Sequence, residues 1–577
     1  IFCSTSIYAQ DCNSILLGEI VDFHDNSPLS GATINITGKD YTATSKENGK
    51  FSINQLCDGV IELEISHPEC TTKFVTLTIN GDTYSEIRLE HHLEELKEVK
   101  VVGDVPKNTN SGQENILSVK DIEQNSGKSL GDALKKIAGV STLNTGGNIV
   151  KPVIQGLNGS RILILNNNVR MQDMEWGEEH APNVDVNANQ NISVIKGAAA
   201  IEYGGDAIGG VIVLEPLPIV RTDSLFGKTQ LNLASNGRGG NITSSLTKSY
   251  KSGLYIKGQG SYKRLGDLEA PDYMLSNTGI KESGASLSVG KRDFIQGWEG
   301  YYSYFNSEIG ILRASHIGNV DDLISAINSD VPSVVNDFTY DIDQPYQEVT
   351  HHLGKLSYYR RFEGLGKWTT QYDFQQNRRF EYDVRVGDDA DKASLDLKLT
   401  THSILTNIKF DAKQGLDFKV GALGRYQSNF ANPDTGVRRL IPDYDKYDFG
   451  LFAIGSYELN NDWTLDAGAR YDFSRIDAKK FYRTSRWEER GYDVDFSDII
   501  LEDLGTQLLT NPVFDYHNFS GTLGFHYEIN GKDHLRFNYA YAQRAPNPSE
   551  LFSDGLHHSA PRTELGDLRI KIETSSK

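Results

Sequence analysis

From about Thr229 onward, apolar and polar residues alternate one for one through segment after segment. Trp463, Leu465, Ala467, Ala469, Tyr471 and Phe473 interleave with Thr464, Asp466, Gly468, Arg470 and Asp472; the rhythm returns at Leu523, Phe525, Tyr527 and Ile529, and again at Leu535, Phe537, Tyr539 and Tyr541. Successive side chains of a strand point to opposite faces, so the pattern predicts strands with one apolar and one polar side. The runs are joined by short turns such as Gly237-Arg238-Gly239-Gly240 and Asn530-Gly531-Lys532, which alternate with longer polar inserts, notably 313–345 and 476–516. Segments of about ten residues with this asymmetry of connections are expected of strands that cross an outer membrane. On the order of thirteen such strands fit before the sequence ends at Lys577.

The N-terminal part reads differently. Leu16 to about Leu89 carries short β-rich runs (LLGEIVDF, GATINIT, GKFSINQL, VIELEIS, KFVTLTI) closed by Asp25-Asn26-Ser27-Pro28 and Glu47-Asn48-Gly49 turns, which predicts a small β-sandwich over 11–92. Glu94–Gly103, EELKEVKVVG, is a short amphipathic strand, and polar linker follows it through Gln113. Asp121–Val140 has helical spacing, with Leu130, Leu134 and Ile137 on one face and Gly139 after the end. From there to Glu215 the pattern returns to strands, ending in ISVIKGAAAIEYGGDAIGGVIVLE, where glycines at 197, 204, 205, 209 and 210 allow close backbone approach.

Composition narrows the class. Hydrophobic content is 38% and no uninterrupted apolar run reaches the 18 or so residues that a membrane helix needs, which excludes a helical membrane protein but not a barrel. A formal net charge of −20 argues against nucleic-acid binding, since that requires a basic footprint. The opening IFCSTSIYAQDC looks like the end of a secretory signal peptide over 1–10, cleaved near Ala9 or Gln10. Cys12, Cys57 and Cys70 then remain; one disulfide and one free thiol are expected, with three pairings open.

The pattern at Val194, Gly197, Tyr203, Gly204, Ala207, Gly209 and Gly210 resembles the end of the plug domain of TonB-dependent outer-membrane receptors, with Ala198 and Gly205 in place of a usual proline and serine. Pro152, Gly156, Arg161 and the LILNNNV turn sit where that family has them, and Gln155 stands where many members have arginine. The N-terminal sandwich resembles the carboxypeptidase regulatory-like domain often found before such plugs; it carries no paired metal ligands or catalytic glutamate. The resemblance implies a mainly β protein: the N-terminal β-sandwich, a TonB box and linker over 93–117, an α/β plug domain over 118–218, and over 225–577 a partial antiparallel transmembrane β-barrel of the 22-stranded type, truncated on the C-terminal side. It also implies that Leu96, Glu98, Val99, Val101 and Val102 form the box that adds as a strand to TonB and its inner-membrane motor proteins, and that the chain imports a substrate through the lipid of the outer membrane and is not an enzyme.

The richest candidate chemistry is DMEWGEEHAPNVDV, 173–186. Asp173, Glu175, Glu178, Glu179 and His180 lie within eight residues, and carboxylate with imidazole suits Zn²⁺ or a similar divalent ion. The stretch resembles the apical plug loop of zinc-uptake receptors, which makes Glu179 and His180 the metal ligands; the metal is substrate, and no resident cofactor is required. His316 in RASHIGNVDD and His557 and His558 after QRAPNPSELFSDG are further candidates from the outer loops. Of His351 and His352, adjacent in a strand, at most one faces the lumen. The rival substrate is haem or a ferric siderophore. Haem receptors carry boxes resembled by Arg544-Ala545-Pro546 and Gly566-Asp567-Leu568, which bracket the two histidines. A barrel-anchored surface-binding or adhesion protein is the alternative of another class.

Overall fold

The computed structural model describes residues 12–577 except 24–27, 40, 47, 68–69, 90–111, 146, 173–175, 177–179, 190, 197–200, 217–221, 316–319, 363, 412–414, 461, 530–532 and 558–561. The N-terminal domain is a β-sandwich. One sheet holds Ser14–Asp22, Lys50–Leu56 and Thr83–Leu89; the other holds Thr33–Ile36, Thr42–Thr44, Gly59–His67 and Cys70–Ile79. Alternate residues of both sheets, among them Leu16, Ile20, Ile34, Phe51, Ile53, Leu63 and Ile65, fill the space between them. Cys12 and Cys57 form a disulfide, which leaves Cys70 buried; burial and the Asp22 carboxylate push its thiol up to about 12. The His67 ring bonds the Ser30 carbonyl through Nε2 (3.1 Å), so Nε2 donates and Nδ1 accepts from the Cys70 thiol (3.5 Å). That oriented ring packs 4.8 Å from Phe294, which lies in the turn between strands Ile280–Arg292 and Gln296–Gly310 and is buried in the N-terminal domain's core.

The plug is built on a mixed five-stranded sheet ordered Val169–Arg170, Ile162–Asn166, Gly210–Glu215, Asn191–Lys196, Gln113–Leu117, with a hairpin Val140–Thr145/Ile149–Ile154 beside it. The helix expected over 121–140 is instead two short ones, Val119–Gln124 and Leu130–Leu134. Gly127 at φ +87° turns the chain between them, and Ser118 and Ser129 each cap a new start by accepting the amide of the residue three ahead. Leu130, Leu134 and Ile137 still bury together with Ile154, Ile164, Val194 and Ile212.

The third unit is a sheet of sixteen strands; two, Ile500–Asp503 and Gln507–Thr510, branch off, and the other fourteen follow one another antiparallel in a single path from Ser224–Ala234 to Glu573–Ser576. Among the described residues these two edge strands do not pair with each other. One face of the sheet is apolar and open, with Leu356, Ile404, Leu451, Phe519, Leu523, Leu535 and Phe537 exposed. The opposite face is polar and buried: along Gly366–Tyr382, Gln371, Asp373, Gln375, Asn377, Arg379 and Glu381 occupy six successive inward positions. This inverts the pattern of a water-soluble sandwich and matches a wall between lipid and a filled bore. His351 lies on the buried face and His352 on the outer one.

Aromatics girdle the outer face near both ends of the strands. Trp463 and Phe473 stand ten residue steps apart, about 25 Å along the membrane normal once strand tilt is included. In the girdle nearer the long loops the motif Tyr-x-Tyr/Phe meets a histidine on the next strand three times: Tyr302 with His352, Tyr372 with His402 and Tyr471 with His517, each hydroxyl 2.7–2.8 Å from Nδ1. These clasps satisfy polar tips at the edge of the lipid band. The insert expected at 476–516 is shorter and more ordered than its polarity implies, since strands continue to Arg483 and resume at Val513, and helices Thr484–Glu489 and Tyr492–Asp495 lie between. The turn after Ala234 belongs, by strand parity, to the long-loop rim and not to the short-turn rim.

The Cys12–Cys57 bond closes a loop of 45 residues, for which chain entropy gives about 4 kcal/mol. Cys57→Ser, or reductant, is expected to destabilise the N-terminal domain by about that amount, read as a lowered first transition in calorimetry while the barrel transition stays in place.

Candidate functional site at the plug apex

The inward ladder of Gly366–Tyr382 forms the seat for the plug's apical segment, 170–185. Of the segment's described residues, Arg170, Gln172 and Trp176 find polar partners on the wall. Gln375 Nε2 donates to the Arg170 carbonyl (2.9 Å), and the Gln172 amide donates back to Gln375 Oε1 (3.2 Å). Gln427 Nε2 reaches Gln172 Oε1 (3.2 Å), and Trp176 Nε1 donates to Asn429 Oδ1 (2.8 Å). The Trp176 ring is 1% exposed and joins Leu395, Leu397, Leu440, Ile441 and Tyr444 beneath the outer loops. It is the apical anchor: a large apolar ring whose single donor is satisfied by the wall.

His180 follows four residues later. Its Nε2 lies 3.0 Å from Glu381 Oε1, and both side chains are 1% exposed. Arg379, two residues before Glu381 on the same face, donates to Gln347 Oε1 (3.1 Å), and its guanidinium lies 5.9 Å from the Trp176 ring. The apex thus joins an imidazole, a carboxylate and a guanidinium away from solvent. Of the residues expected to bind metal, His180 is here; Glu179, Asp173, Glu175, Glu178, His316 and His558 lie outside the described residues, as do Leu96, Glu98, Val99, Val101 and Val102 of the expected TonB box. His557 has its backbone in the short strand Asp554–His557. Among the described residues no three His, Cys, Asp or Glu side chains converge as a metal cage. Glu381 was missed by sequence reasoning, although the alternating run QYDFQQNRRFEY was its signal.

Below the apex the plug's glycine-rich end runs against the wall. Gly197 lies outside the described residues. Gly210 sits at φ +140°, where an added Cβ would come 2.6 Å from the Ile195 carbonyl, and one at Gly209 would come 2.7 Å from that of Arg161. Gly205, in the position of a usual serine, lies close against the wall: an added Cβ would stand 2.9 Å from the Asp472 carboxylate and the Ser520 hydroxyl and 3.3 Å from the Gln543 carbonyl. Arg470 caps the turn by donating to the Glu202 carbonyl (3.0 Å), and Lys419 pairs with the Glu202 carboxylate (2.9 Å). Tyr203 packs on Leu163, Ile195 and Val211, and burial pushes its phenol well up. Burial alone would raise the Asp206 carboxyl, but the Arg170 guanidinium, bonded through both ends, with Arg425 and Lys446 behind it, holds it below the usual carboxylate range.

Arg161 of the plug reaches Glu573 (3.0 Å) and Glu550 (3.3 Å), and Arg544 from the wall binds the same two carboxylates. Gln155, where many receptors carry arginine, instead accepts from Lys577 (3.4 Å). The Arg of the Arg544-Ala545-Pro546 motif is therefore committed to tying plug to wall. Between the hairpin side of the plug and the wall, a gap lined by Ser129, Asn148, Pro182, Glu282, Gln347 and Arg379 holds only about 60 Å³. Two or so waters fit such a space.

Residues 106–211 match the TonB-dependent receptor plug domain, 16–101 the CarboxypepD_reg-like domain, and 283–576 the TonB dependent receptor-like β-barrel. A vitamin B12 transporter BtuB of Vibrio vulnificus is 35% identical over 101 residues, 17% of this chain and 16% of the relative, so the match spans about a sixth of that protein's length. The fold is similar to that of the copper transporter OprC (TM-score 0.58, 16% identity, 80% of this chain and 68% of that one). It is similar also to the Serratia marcescens hemophore receptor HasR (TM-score 0.60, 16% identity, 81% and 68%) and to the siderophore receptor PiuA from Acinetobacter baumannii (TM-score 0.56, 14% identity, 77% and 66%). The barrel match alone takes in 294 of the 577 residues, and with the plug seated in the bore as described, the chain belongs to the TonB-dependent receptors.

Proposed function

We propose that this protein is an active importer of the outer membrane, taking its substrate at the plug apex and drawing energy from TonB through the segment 96–102. The observation that carries the reading is a plug fastened across the bore. It is tied to the wall by the Arg161–Glu573, Lys419–Glu202 and Arg470–Glu202 contacts, and the gap between its hairpin side and the wall holds only about 60 Å³. Several charge-assisted bonds of about 1.5–3 kcal/mol each must loosen before anything passes, so transport needs work done on the plug. Deleting residues 94–103 is expected to abolish uptake by intact cells while purified receptor binds substrate unchanged. Uptake that survives the deletion would leave a passive surface binder as the better account.

The substrate class we favour is a divalent metal ion or a small metal complex, with Glu179 and His180 as plug-borne ligands and Glu381 as the wall's contribution. Support comes from the chemistry of the pair, an imidazole nitrogen 3.0 Å from a carboxylate oxygen in a site that excludes water. Haem and ferric siderophores, bound by receptors of similar fold, are the competing class. Purified wild-type protein is expected to retain zinc on dialysis. His180→Ala and Glu381→Gln should each lower that content at least tenfold, and the double variant little further, because the two act on one ion. Equal zinc in all three variants, with haem or a ferric chelate retained instead, would move the assignment to the competing class.

A further inference from the structure

Below the apical pair the wall carries a second imidazole that the apex does not use. Asn377 stands four residues from Glu381 on the same face of Gly366–Tyr382, about 13 Å further into the bore, and His351 of Tyr346–Phe362 is its cross-strand partner. His351 is 2% exposed.

The ring is held in one tautomer. Its hydrogen-bond partner is the Gln375 side chain, whose Nε2 is already spent on the Arg170 carbonyl (2.9 Å) and the Asp373 carboxylate (3.3 Å). What remains for the ring is the amide oxygen, which keeps a lone pair after accepting from the Gln172 amide. His351 Nδ1 therefore donates, and Nε2 presents a bare lone pair. That nitrogen is buried without a hydrogen-bond partner. Metal-ligating histidines are oriented in this way, the second nitrogen donating to a fixed oxygen.

Together with Asp185, Asn183, Tyr301 and Ser303, His351 lines a space of about 10 Å³ between plug and wall. Such a volume takes one water or one metal ion. Asp185 comes from the plug, and its carboxylate is steadied by Gln259 (2.9 Å) and Ser261 (2.5 Å) of the wall and by the Asn187 amide (2.9 Å). Both polar atoms of the Asn377 amide are buried without a partner as well. A lone pair, a donor and an acceptor, all unused on one cross-strand pair, are satisfied together by a cation that brings water, the metal going to the nitrogen and its water to the amide.

We infer that His351 and Asp185 form a second station for a divalent cation, one step inward of the apex. The inference rests on the metal reading of the apical site. One imidazole and one carboxylate, completed by neutral oxygens, bind an ion more weakly than the apical set of Glu179, His180 and Glu381, so the station empties on dialysis and hands its cargo on. Its two principal ligands stand on opposite sides of the plug–wall boundary. Asp185 travels with the plug while His351 stays in the wall, so displacing the plug takes the station apart and couples release of the ion to the work done.

The test uses purified full chain stripped with a chelator, then titrated with Zn²⁺ in a calorimeter and with Co²⁺, whose d–d absorption reports nitrogen ligation. Wild type is expected to take up two ions, one tight and one weaker. His351→Gln and Asp185→Asn should each weaken the second ion at least tenfold and leave the first in place, while His180→Ala should do the reverse. Both replacements keep a polar side chain of similar size, and unchanged binding of the tight ion is the control for folding. A wild type that binds only the ion removed by His180→Ala, or a weaker ion unmoved in both His351→Gln and Asp185→Asn, would overturn the station, leave its space to a water and spare the apical reading. A wild type that binds neither ion would overturn both.

Discussion

The structure depends on one constraint: inside a hydrocarbon layer no backbone amide or carbonyl can be left without a partner, and a sheet meets this only by pairing strand to strand around a bore. Between its two edge strands the fourteen-strand path does so through consecutive antiparallel hairpins, with registers such as those of Gly366–Tyr382 running unbroken. Once the backbone is satisfied in this way, the period of two divides every strand into a lipid side and a bore side. Leu523 and Phe537 are then exposed for the same reason that Gln375 and Asn377 are buried.

A polar bore is in turn what allows a separate domain to sit inside it. An apolar lining would weld plug to wall through close packing; a lining of amides and charges fastens it through discrete bonds. Gln375, Gln427, Asn429, Lys419 and Arg470 each hold the plug, Gln375 and Arg470 through its main-chain carbonyls. Main-chain recognition tolerates change in the plug's side chains, but it demands that the backbone come close. The crowding of Gly205 by Asp472, Ser520 and the Gln543 carbonyl follows from that demand.

Much of this architecture was legible because it rests on periodicity. The alternation at Trp463–Phe473 identified both the strand and its lipid side, and adjacency in a strand was enough to send His351 and His352 to opposite faces. What escaped depended on tertiary partners. The break at Gly127 is invisible to helical spacing, since Leu130, Leu134 and Ile137 keep one face whether or not the helix is continuous. Polarity at 476–516 suggested a loop, although Trp487 and Tyr492 supplied a core that ordered it. Glu381 looked like any inward polar residue until His180 was seen against it. The pairing of Cys12 with Cys57 required the two strand ends to be seen side by side.

Phe294, at the short-turn rim, is swallowed by the N-terminal domain's core, where it stacks near His67 and lies 5.1 Å beneath the Arg361 guanidinium. That domain is thereby moored to the barrel. The mooring is shallow: Phe294 and its partly buried neighbour Ile295, the ring contributing about 2–3 kcal/mol in burial. The first plug strand, by contrast, is zipped into its sheet at five successive positions, Gln113 to Leu117. A force applied between domain and plug therefore meets the weaker attachment first, and the domain parts from the rim before that strand is disturbed.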